Sequence, residues 1–224
     1  MNYKKILIAP SILSANLAAL GQEAAAVVAA GADLIHFDVM DQHYVPNLTF
    51  GPAVCKSLRD YGITAPIDVH LMAKPVDDLI AAFARAGASA ISFHPEATCH
   101  LDRSLQLVKG HGCKAGVALN PTTTFDCFEL ILDQLDFVLL MSVNPGFGGQ
   151  EFIPYVLDKI ASLRYLIDQQ AASQRPLIAV DGGINLTNYQ SIIAAGADIL
   201  VVGSAIFGCR GDYCEILNKF KQHC

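Results

Sequence analysis

Short apolar runs rich in β-branched residues recur along the chain and alternate with segments whose apolar residues have helical spacing. LGQEAAAVVAA (20–30) and PVDDLIAAFARAG (75–87) are typical of amphipathic helices. The alternation of strands with helices predicts a parallel sheet. The eight strand-like runs are KILIAP (5–10), LIHFDV (34–39), PIDVHL (66–71), SAISFH (89–94), KAGVAL (114–119), FVLLMS (137–142), LIAVDG (177–182) and DILVVG (198–203).

The link between a helix and the next strand is repeated three times, as AAGAD (29–33), RAGAS (85–89) and AAGAD (194–198). Glycine is favoured just after a helix because it adopts positive φ without steric cost. The repeat therefore predicts a recurring αβ unit. Eight βα units within 224 residues favour a closed (β/α)8 TIM barrel, as a single domain over residues 1–224, against an open doubly wound sheet.

Composition and charge restrict the classes of partner that this chain is expected to bind. Apolar residues make up 53% of the chain, and the net charge of -6 comes without a block of Lys or Arg, which argues against a nucleic-acid partner. No apolar run reaches the ~18 residues of a membrane helix, so no membrane partner is expected. Lys4 and Lys5 precede an apolar segment as in a signal peptide, but Pro10, Ser14 and Asn16 interrupt it, and a strand, loop and helix fit better. The seven cysteines are dispersed without a CxxC, which is typical of reduced thiols and predicts a cytoplasmic protein.

Histidines and carboxylates lie near the ends of predicted strands. In a barrel of this type the chemistry sits at the carboxyl ends of the strands. His36 and Asp38 are two apart on the second strand, as are Asp68 and His70 on the third, so each pair shares one face. With Asp181 on the seventh strand, they predict a divalent metal site, and imidazole with carboxylate favours Zn, Fe, Mn or Co over Mg or Ca.

The residue types alone also allow other interpretations of this group of side chains. A buried ion-pair network would use the same residue types. Asp68 lies one residue pair deeper than His70, so it could orient a ligand instead of binding the ion. Met40, Met72 and Met141 end predicted strands on the mouth side, but their spacing alone favours ordinary filling of gaps in the core.

Glycine-containing turns follow the last three strands. Asp181-Gly182-Gly183 and Gly203-Ser204 follow strands seven and eight, where barrels of this type usually bind phosphate through backbone N–H groups. NPGFGGQ (144–150) follows strand six. It is no dinucleotide fingerprint, because Glu151 stands where a third glycine is needed, and we interpret it as a lid over the mouth.

Taken together, these motifs resemble the ribulose-phosphate 3-epimerase family. The similarity spans essentially the whole chain in the family's order. Many members have Gly at the position of Gln42, which predicts a local change in the loop without loss of chemistry. The matching stretches are APSILSAN (9–16), HFDVMDQHYVPN (36–47), DVHLM (68–72), MSVNPGFGGQ (141–150), VDGGIN (180–185) and VGSAIF (202–207).

The resemblance implies a role for each matching residue. One divalent metal ion per subunit would be bound by His36, Asp38, His70 and Asp181, with Asp38 and Asp181 also acting as the acid/base catalysts. The three methionines would line the site. The resemblance also implies a homo-oligomer, a dimer or hexamer, and leaves the roles of Asp41, His43 and His94 open. The implied substrate contacts are Ser11, His70, Gly146, Phe147, Gly148, Gly149, Asp181, Gly182, Gly183, Gly203 and Ser204.

The implied reaction interconverts D-ribulose 5-phosphate and D-xylulose 5-phosphate, in the pentose phosphate pathway, by moving the C3 proton through a metal-bound enediolate. An allulose 6-phosphate 3-epimerase would share all of these residues. A related phosphosugar decarboxylase typically carries Asp-x-Lys at the end of strand three, whereas this chain has Asp68-Val69-His70. A non-catalytic phosphosugar-binding barrel has no support, because both acids and all four ligands are present.

Overall fold

Eight parallel strands form one sheet in the computed structural model, which describes residues 5–126, 128–169, 175–209 and 212–221. Each strand pairs with the next one along the chain, so the order around the sheet follows the sequence. This is the predicted barrel. The strands are β1 (Leu7–Pro10), β2 (Ile35–Met40), β3 (Ile67–Met72), β4 (Ala90–Phe93), β5 (Lys114–Leu119), β6 (Phe137–Met141), β7 (Leu177–Asp181) and β8 (Ile199–Val202).

The two ends of the sheet, β1 and β2, meet through few backbone contacts. Asp33 N–H donates to the Ile8 carbonyl at 3.0 Å, and the Asp33 side chain accepts from Ile8 N–H at 3.0 Å. At the other end of this seam, Ser11 and His36 form an isolated parallel bridge. The barrel therefore closes at the carboxyl end of its strands through two residues that were predicted to belong to the site.

Helices cover the outside of the barrel after seven of the eight strands. In the fifth unit, the described part of residues 120–136 has only two 3-10 turns, Phe128–Leu130 and Leu132–Gln134. The prediction of eight βα units is wrong here, because Pro121 and a run of threonines disfavour a helix, and buried Phe128 fills the space instead. The α-helices are α1 (Leu20–Ala29), α2 (Pro52–Tyr61), α3 (Asp77–Ala86), α4 (Leu101–Gly110), α5 (Val156–Gln169), α6 (Tyr189–Ala195), α7 (Ser204–Phe207) and α8 (Tyr213–Lys221).

The repeated helix-to-strand joint has the predicted conformation. Gly31, Gly87 and Gly196 have φ of 102°, 103° and 122°, a region that side chains rarely adopt. Gly87 and Gly196 are the C-cap residues of α3 and α6. The three copies are thus equivalent connections from a helix to the following strand.

Alternation along each strand separates two layers. On β2, Ile35, Phe37 and Val39 belong to the large core between the strands and the helices. The residues between them face the inside of the barrel, where a smaller cluster includes Leu139 and Ala179. His36 and Asp38 are therefore placed inside by the strand period. Within the described ranges, no helix combines the length and apolar character that crossing a membrane requires.

Candidate active site

Four side chains from three strands converge inside the barrel at its carboxyl end. One ligand atom from each of His36, Asp38, His70 and Asp181 lies within 4.8 Å of the other three. Asp38 Oδ1 is 3.3 Å from His36 Nε2 and 3.4 Å from His70 Nδ1, and Asp181 Oδ2 is 3.8 Å from His36 Nε2. Donor atoms grouped in this way can surround one ion.

The register of the strands produces this convergence. His36 is beside Asp68 and Asp38 is beside His70 in the β2–β3 pair, so the four inward side chains form a compact square. Asp181 ends β7 and approaches His36 from the other side of the barrel. Two separate predictions, alternation within strands and a shared carboxyl end, are therefore satisfied by one set of residues.

Two ring nitrogens of the cluster favour a metal site over a closed ion-pair network. Both histidine side chains are fully buried, yet His36 Nε2 and His70 Nδ1 have no hydrogen-bond partner. Leaving a buried polar atom unpaired costs about 1–3 kcal/mol. A structural network would be expected to satisfy these atoms, whereas a divalent ion would bind them. The donor set, two imidazoles and two carboxylates, fits Zn, Fe, Mn or Co.

The two carboxyl groups differ in proton affinity. Removal from bulk water, together with the nearby charge of Asp38, raises the pKa of Asp181 to about 7. Burial also opposes ionisation of Asp38, but the charge of His36 and the close approach of both histidine rings, at 3.3 and 3.4 Å, outweigh it and lower the Asp38 pKa well below its usual range. Before an ion binds, Asp38 is thus ionised and Asp181 readily holds a proton.

The histidines differ in the same way. Burial opposes protonation of His36, yet the charge of Asp38 raises its pKa well above the ordinary value. Burial lowers the pKa of His70, and it lowers that of His94 further, with the proximity of His70 acting in the same direction. Of these three histidines, His36 therefore attracts a proton, and His70 in the cluster and His94 behind it favour the neutral form.

Ser11 fixes the second oxygen of Asp38. Its hydroxyl donates to Asp38 Oδ2 at 2.5 Å, while Oδ1 faces the two histidines. Ser11 follows β1 directly and forms the bridge to His36 that closes the barrel. The predicted substrate contact is therefore also a support for a predicted ligand.

The mouth above the cluster is lined by the residues that the sequence pointed to. Met40, Met72 and Met141 are nearly fully buried in its wall, whereas fully buried His70, which was predicted to contact substrate, is not among the lining residues. Leu13, Ser14, Val143, Ile184 and Val201 also line the mouth and were missed. The matching stretch 9–16 includes Leu13 and Ser14 and is the signal that could have identified them. The predicted residues in the lining are Ser11, Asp38, Met40, Met72, Met141, Gly146, Phe147, Gly148, Gly149, Asp181, Gly182, Gly183, Gly203 and Ser204.

The predicted lid, residues 144–150, lines the mouth and is held by hydrogen bonds at its base. Asn47 Nδ2 donates to the Gly146 carbonyl at 2.9 Å, which joins the lid to the loop after β2. Gln150 Nε2 donates to the carbonyls of Asn144 and Phe147 at 2.7 and 2.8 Å. The Phe147 side chain remains 54% exposed. An exposed aromatic residue on a loop with two glycines at positive φ suits a segment that closes over a ligand.

The glycine turns leave no room for side chains. A Cβ on Gly183, whose φ is 65°, would lie 2.4 Å from the backbone nitrogen of Phe152. A Cβ on Gly203 would lie 2.7 Å from Ser14 Oγ. These close approaches bring the loops after β1, β6, β7 and β8 into contact around one point, the predicted phosphate site.

The residues left open by the sequence have distinct positions. His43 has a side chain that is 79% exposed and lies outside the cluster. Asp41 organises the loop after β2, because its carboxylate accepts from the backbone N–H groups of His43, Tyr44 and Lys74. Gln42, where many members of the resembling family have Gly, has φ of 62°, so the predicted local change is a side chain at a left-handed backbone position.

Asp68 and His94 lie directly behind the cluster. Asp68 Oδ2 is 2.9 Å from His36 Nδ1, and His94 Nε2 is 2.9 Å from His70 Nε2. Both are buried, with 3% and 0% exposure. Neither side chain is part of the group of four ligand atoms.

Comparison with known proteins identifies the family of this chain. The model of the Ribulose-phosphate 3 epimerase family matches residues 7–207. A ribulose-phosphate 3-epimerase of Serratia marcescens is 61% identical over 210 residues, covering 94% of this chain and 99% of its own. One of Escherichia coli (strain K12) is 58% identical over 219 residues, covering 98% and 96%.

Solved structures add a comparison of the fold alone. A mutant tryptophan synthase alpha-subunit from Pyrococcus furiosus superposes with a TM-score of 0.70 at 18% identity, covering 98% of this chain and 96% of its own. At 18% identity, this structural similarity supports the barrel fold of the chain but says nothing about its activity. The matches to sequence, in contrast, extend through every element that builds the mouth, and the chain belongs to the ribulose-phosphate 3-epimerase family and is an isomerase.

Proposed function

We propose that the chain is a metal-dependent epimerase that interconverts D-ribulose 5-phosphate and D-xylulose 5-phosphate by removing and returning the C3 proton. The observation that carries this proposal is the convergence of Asp38 from β2 and Asp181 from β7 on buried His36, whose Nε2 lies 3.3 and 3.8 Å from the two carboxylates. The names of the relatives supply the substrate pair, and the site supplies groups suited to the reaction.

The two carboxyl groups have the complementary protonation states that inversion requires. Ionised Asp38 can accept a proton, and Asp181, with a pKa of about 7, can hold one near neutral pH. Removal from one face of C3 and delivery to the other needs two groups, because a substrate gripped by its phosphate does not turn over. In the reverse direction the two carboxyl groups exchange roles.

The metal would be held by His36, Asp38, His70 and Asp181. When bound, a divalent ion supplies Lewis-acid stabilisation for the negative charge that develops as the C3 proton leaves. Ser11 holds Asp38 in place through its hydroxyl, so this carboxylate stays aimed at the mouth. The metal identity (Zn, Fe, Mn or Co), a homo-oligomeric assembly and a cytoplasmic location stay predictions.

The remaining lining residues position the substrate and exclude water. Gly182, Gly183, Gly203 and Ser204 lie where the loops after β7 and β8 meet, and their backbone can approach a phosphate closely. Three methionines make the wall beside the reacting carbons apolar. The lid at 144–150 would retain the reactive enediolate until the second proton is delivered.

Proton exchange with solvent tests the proposal directly. Metal-loaded protein incubated with D-ribulose 5-phosphate in D2O should incorporate deuterium at C3 and form D-xylulose 5-phosphate. Asp38→Asn and Asp181→Asn should each lower kcat by at least about a thousandfold, since a proton-transfer group alone contributes about 10²–10⁴ and both residues also contact the ion. Asp60→Asn, at an exposed carboxylate paired with Lys56, is the matched control and should keep wild-type activity.

Two outcomes would contradict the proposal. Full inversion by rigorously metal-free protein would remove the metal from the mechanism. Inversion without any deuterium at C3, in the forward and in the reverse direction, would contradict removal and return of the C3 proton. The alternative substrate, allulose 6-phosphate, is tested by comparing kcat/KM for the two sugars, and a higher value for the hexose would transfer the proposal to that substrate.

A further inference from the structure

Each histidine of the proposed metal site is supported from behind by a different buried group. The nitrogens that would face the ion are Nε2 of His36 and Nδ1 of His70, because both lie next to Asp38 Oδ1 and have no hydrogen-bond partner. The remaining nitrogen of His36 contacts the Asp68 carboxylate at 2.9 Å, and the remaining nitrogen of His70 contacts His94 at 2.9 Å. All four side chains are buried, so solvent does not replace either contact.

Binding of an ion through these two nitrogens determines the tautomers of His36, His70 and His94. A ring nitrogen that binds a metal uses its lone pair, so the other nitrogen of the same neutral ring carries the proton. His36 Nδ1–H then donates to Asp68 Oδ2. His70 Nε2–H donates to His94 Nε2, which must accept, and the single ring proton of His94 is therefore on Nδ1.

The two supports differ in charge. Asp68 faces His36 with a carboxylate whose other oxygen has no hydrogen-bond partner, so its negative charge is directed largely at the imidazole. His94 offers His70 an uncharged nitrogen. Its ring is held on the far side by Tyr44, at 4.8 Å between centroids, and Asn120 Nδ2 donates to the Tyr44 hydroxyl at 2.8 Å.

We propose that Asp68 and His94 are positioning residues for the metal ion, which lock the tautomer and ring orientation of His36 and His70 and make them unequal ligands. A carboxylate behind an imidazole increases its basicity, so His36 is the stronger donor. His70, backed by a neutral ring, binds the ion more weakly. This inference rests on the proposed metal site and names two residues outside its four ligands.

Metal affinity, measured by chelator competition with Zn²⁺, tests each support. Asp68→Asn keeps an acceptor for His36 but removes the charge, and it should raise the dissociation constant about 10–100-fold. His94→Leu removes the acceptor for His70 and should have an effect in the same range. His94→Gln returns an acceptor oxygen and should recover at least half of that loss on a logarithmic scale. Ser92→Ala is the control: Ser92 lies on β4 two residues before His94, its buried hydroxyl has no hydrogen-bond partner, and the variant should bind Zn²⁺ as the wild type does.

A spectroscopic signature separates positioning from general damage to the fold. Co²⁺ in place of Zn²⁺ gives visible absorption that depends on coordination geometry. Asp68→Asn and His94→Leu should shift this spectrum, and His94→Gln and Ser92→Ala should retain it. Thermal unfolding of the metal-free variants shows whether each one is folded, and if Asp68→Asn does not fold, the His94 pair decides the inference for both supports.

The outcomes distinguish this inference from the proposed function. If the wild type binds neither Zn²⁺ nor Co²⁺, the metal site itself is wrong. If the wild type binds both and His94→Leu retains wild-type affinity and spectrum, the proposed function stands and the positioning role is overturned. Equal losses in His94→Leu and His94→Gln would also overturn it, because the effect would then follow ring packing and not the hydrogen bond.

Discussion

Replacing Gly183 by alanine should loosen the proposed phosphate site without disturbing the metal cluster. The residue has φ of 65°, and an added Cβ would lie 2.4 Å from the backbone nitrogen and 2.8 Å from the Cα of Phe152. Ordinary contacts between such atoms begin near 3.5 Å, so the loops after β6 and β7 must separate by about 1 Å. Backbone cannot rotate away as a flexible side chain does, and both loops therefore shift.

The free-energy cost has two parts. The left-handed conformation costs alanine about 1–2 kcal/mol, and overpacking adds about 1–3 kcal/mol. Gly112→Ala is the matched control, because Gly112 has φ of 77° with no heavy atom within 4 Å of the added Cβ, and lies in the exposed joint before β5. It carries the conformational cost alone, and the reduced entropy of the unfolded chain is common to both variants.

Urea unfolding and epimerase kinetics measure the two effects. Gly183→Ala should unfold with a free energy about 1–3 kcal/mol below that of Gly112→Ala, and its KM for D-ribulose 5-phosphate should rise at least about tenfold, since misplacement by 1 Å can cost about a hundredfold. Zn²⁺ affinity should stay within about twofold of wild type, because the ligand atoms lie on β2, β3 and β7 below the turn. Equal stability of the two variants together with an unchanged KM would refute the reasoning.

Three further changes test separate features. Below pH 7, Zn²⁺ affinity should fall with pH more steeply in the wild type than in Asp181→Asn, by about an extra factor of ten for each pH unit. The Asp181 pKa of about 7 means that a proton must leave this carboxyl group before the ion binds. Chelator competition between pH 5.5 and 8.5, roughly the stable range of such folds, gives both slopes, and parallel slopes would contradict the prediction. Gln42→Gly should change the free energy of unfolding by less than about 0.5 kcal/mol, since relief at φ of 62° and the greater entropy of the unfolded glycine are similar in size, whereas the β-branched Gln42→Val should lose about 1–2 kcal/mol in urea unfolding. Lys159→Met should lower the same free energy by about 2 kcal/mol, because Lys159 Nζ donates to the carbonyls of Asn120, Pro121 and Thr123 at 2.6, 3.1 and 2.6 Å; Lys56→Met on the exposed face of α2 is its control, and an equal effect of both would show that the three contacts contribute nothing.

Most of the barrel and much of the site could be predicted because they depend on short-range periodicity. His36 and Asp38 are two apart, and a strand period of two is enough to place both side chains inside. The three repeated joints fixed the positions of Gly31, Gly87 and Gly196 after helices for a similarly local reason, positive φ. Strand ends then brought Asp181 to the same side, because parallel strands share one carboxyl edge.

Features that depend on the register between strands could not be predicted in the same way. His94 was assigned only to the end of a strand, and its 2.9 Å contact with His70 depends on how β4 is aligned with β3. Ser14 reaches the glycine turns only because the loop after β1 folds across the mouth. The turns after β5 replaced a helix because local propensity and the packing of Phe128 outweighed the repeat of the other units.

At the seam between β1 and β2, the residues that close the barrel also hold residues of the proposed active site. Elsewhere the strands are joined by ladders of four to six residue pairs or, at β7 and β8, three, while the described residues of this seam meet at Asp33–Ile8 and at the Ser11–His36 bridge. A region held by few contacts opens at lower free energy than the rest of a fold. A fluctuation that opens the seam would move Ser11 away from Asp38 and shift His36, a proposed metal ligand, so we expect the proposed activity to be lost through local opening before the barrel itself unfolds.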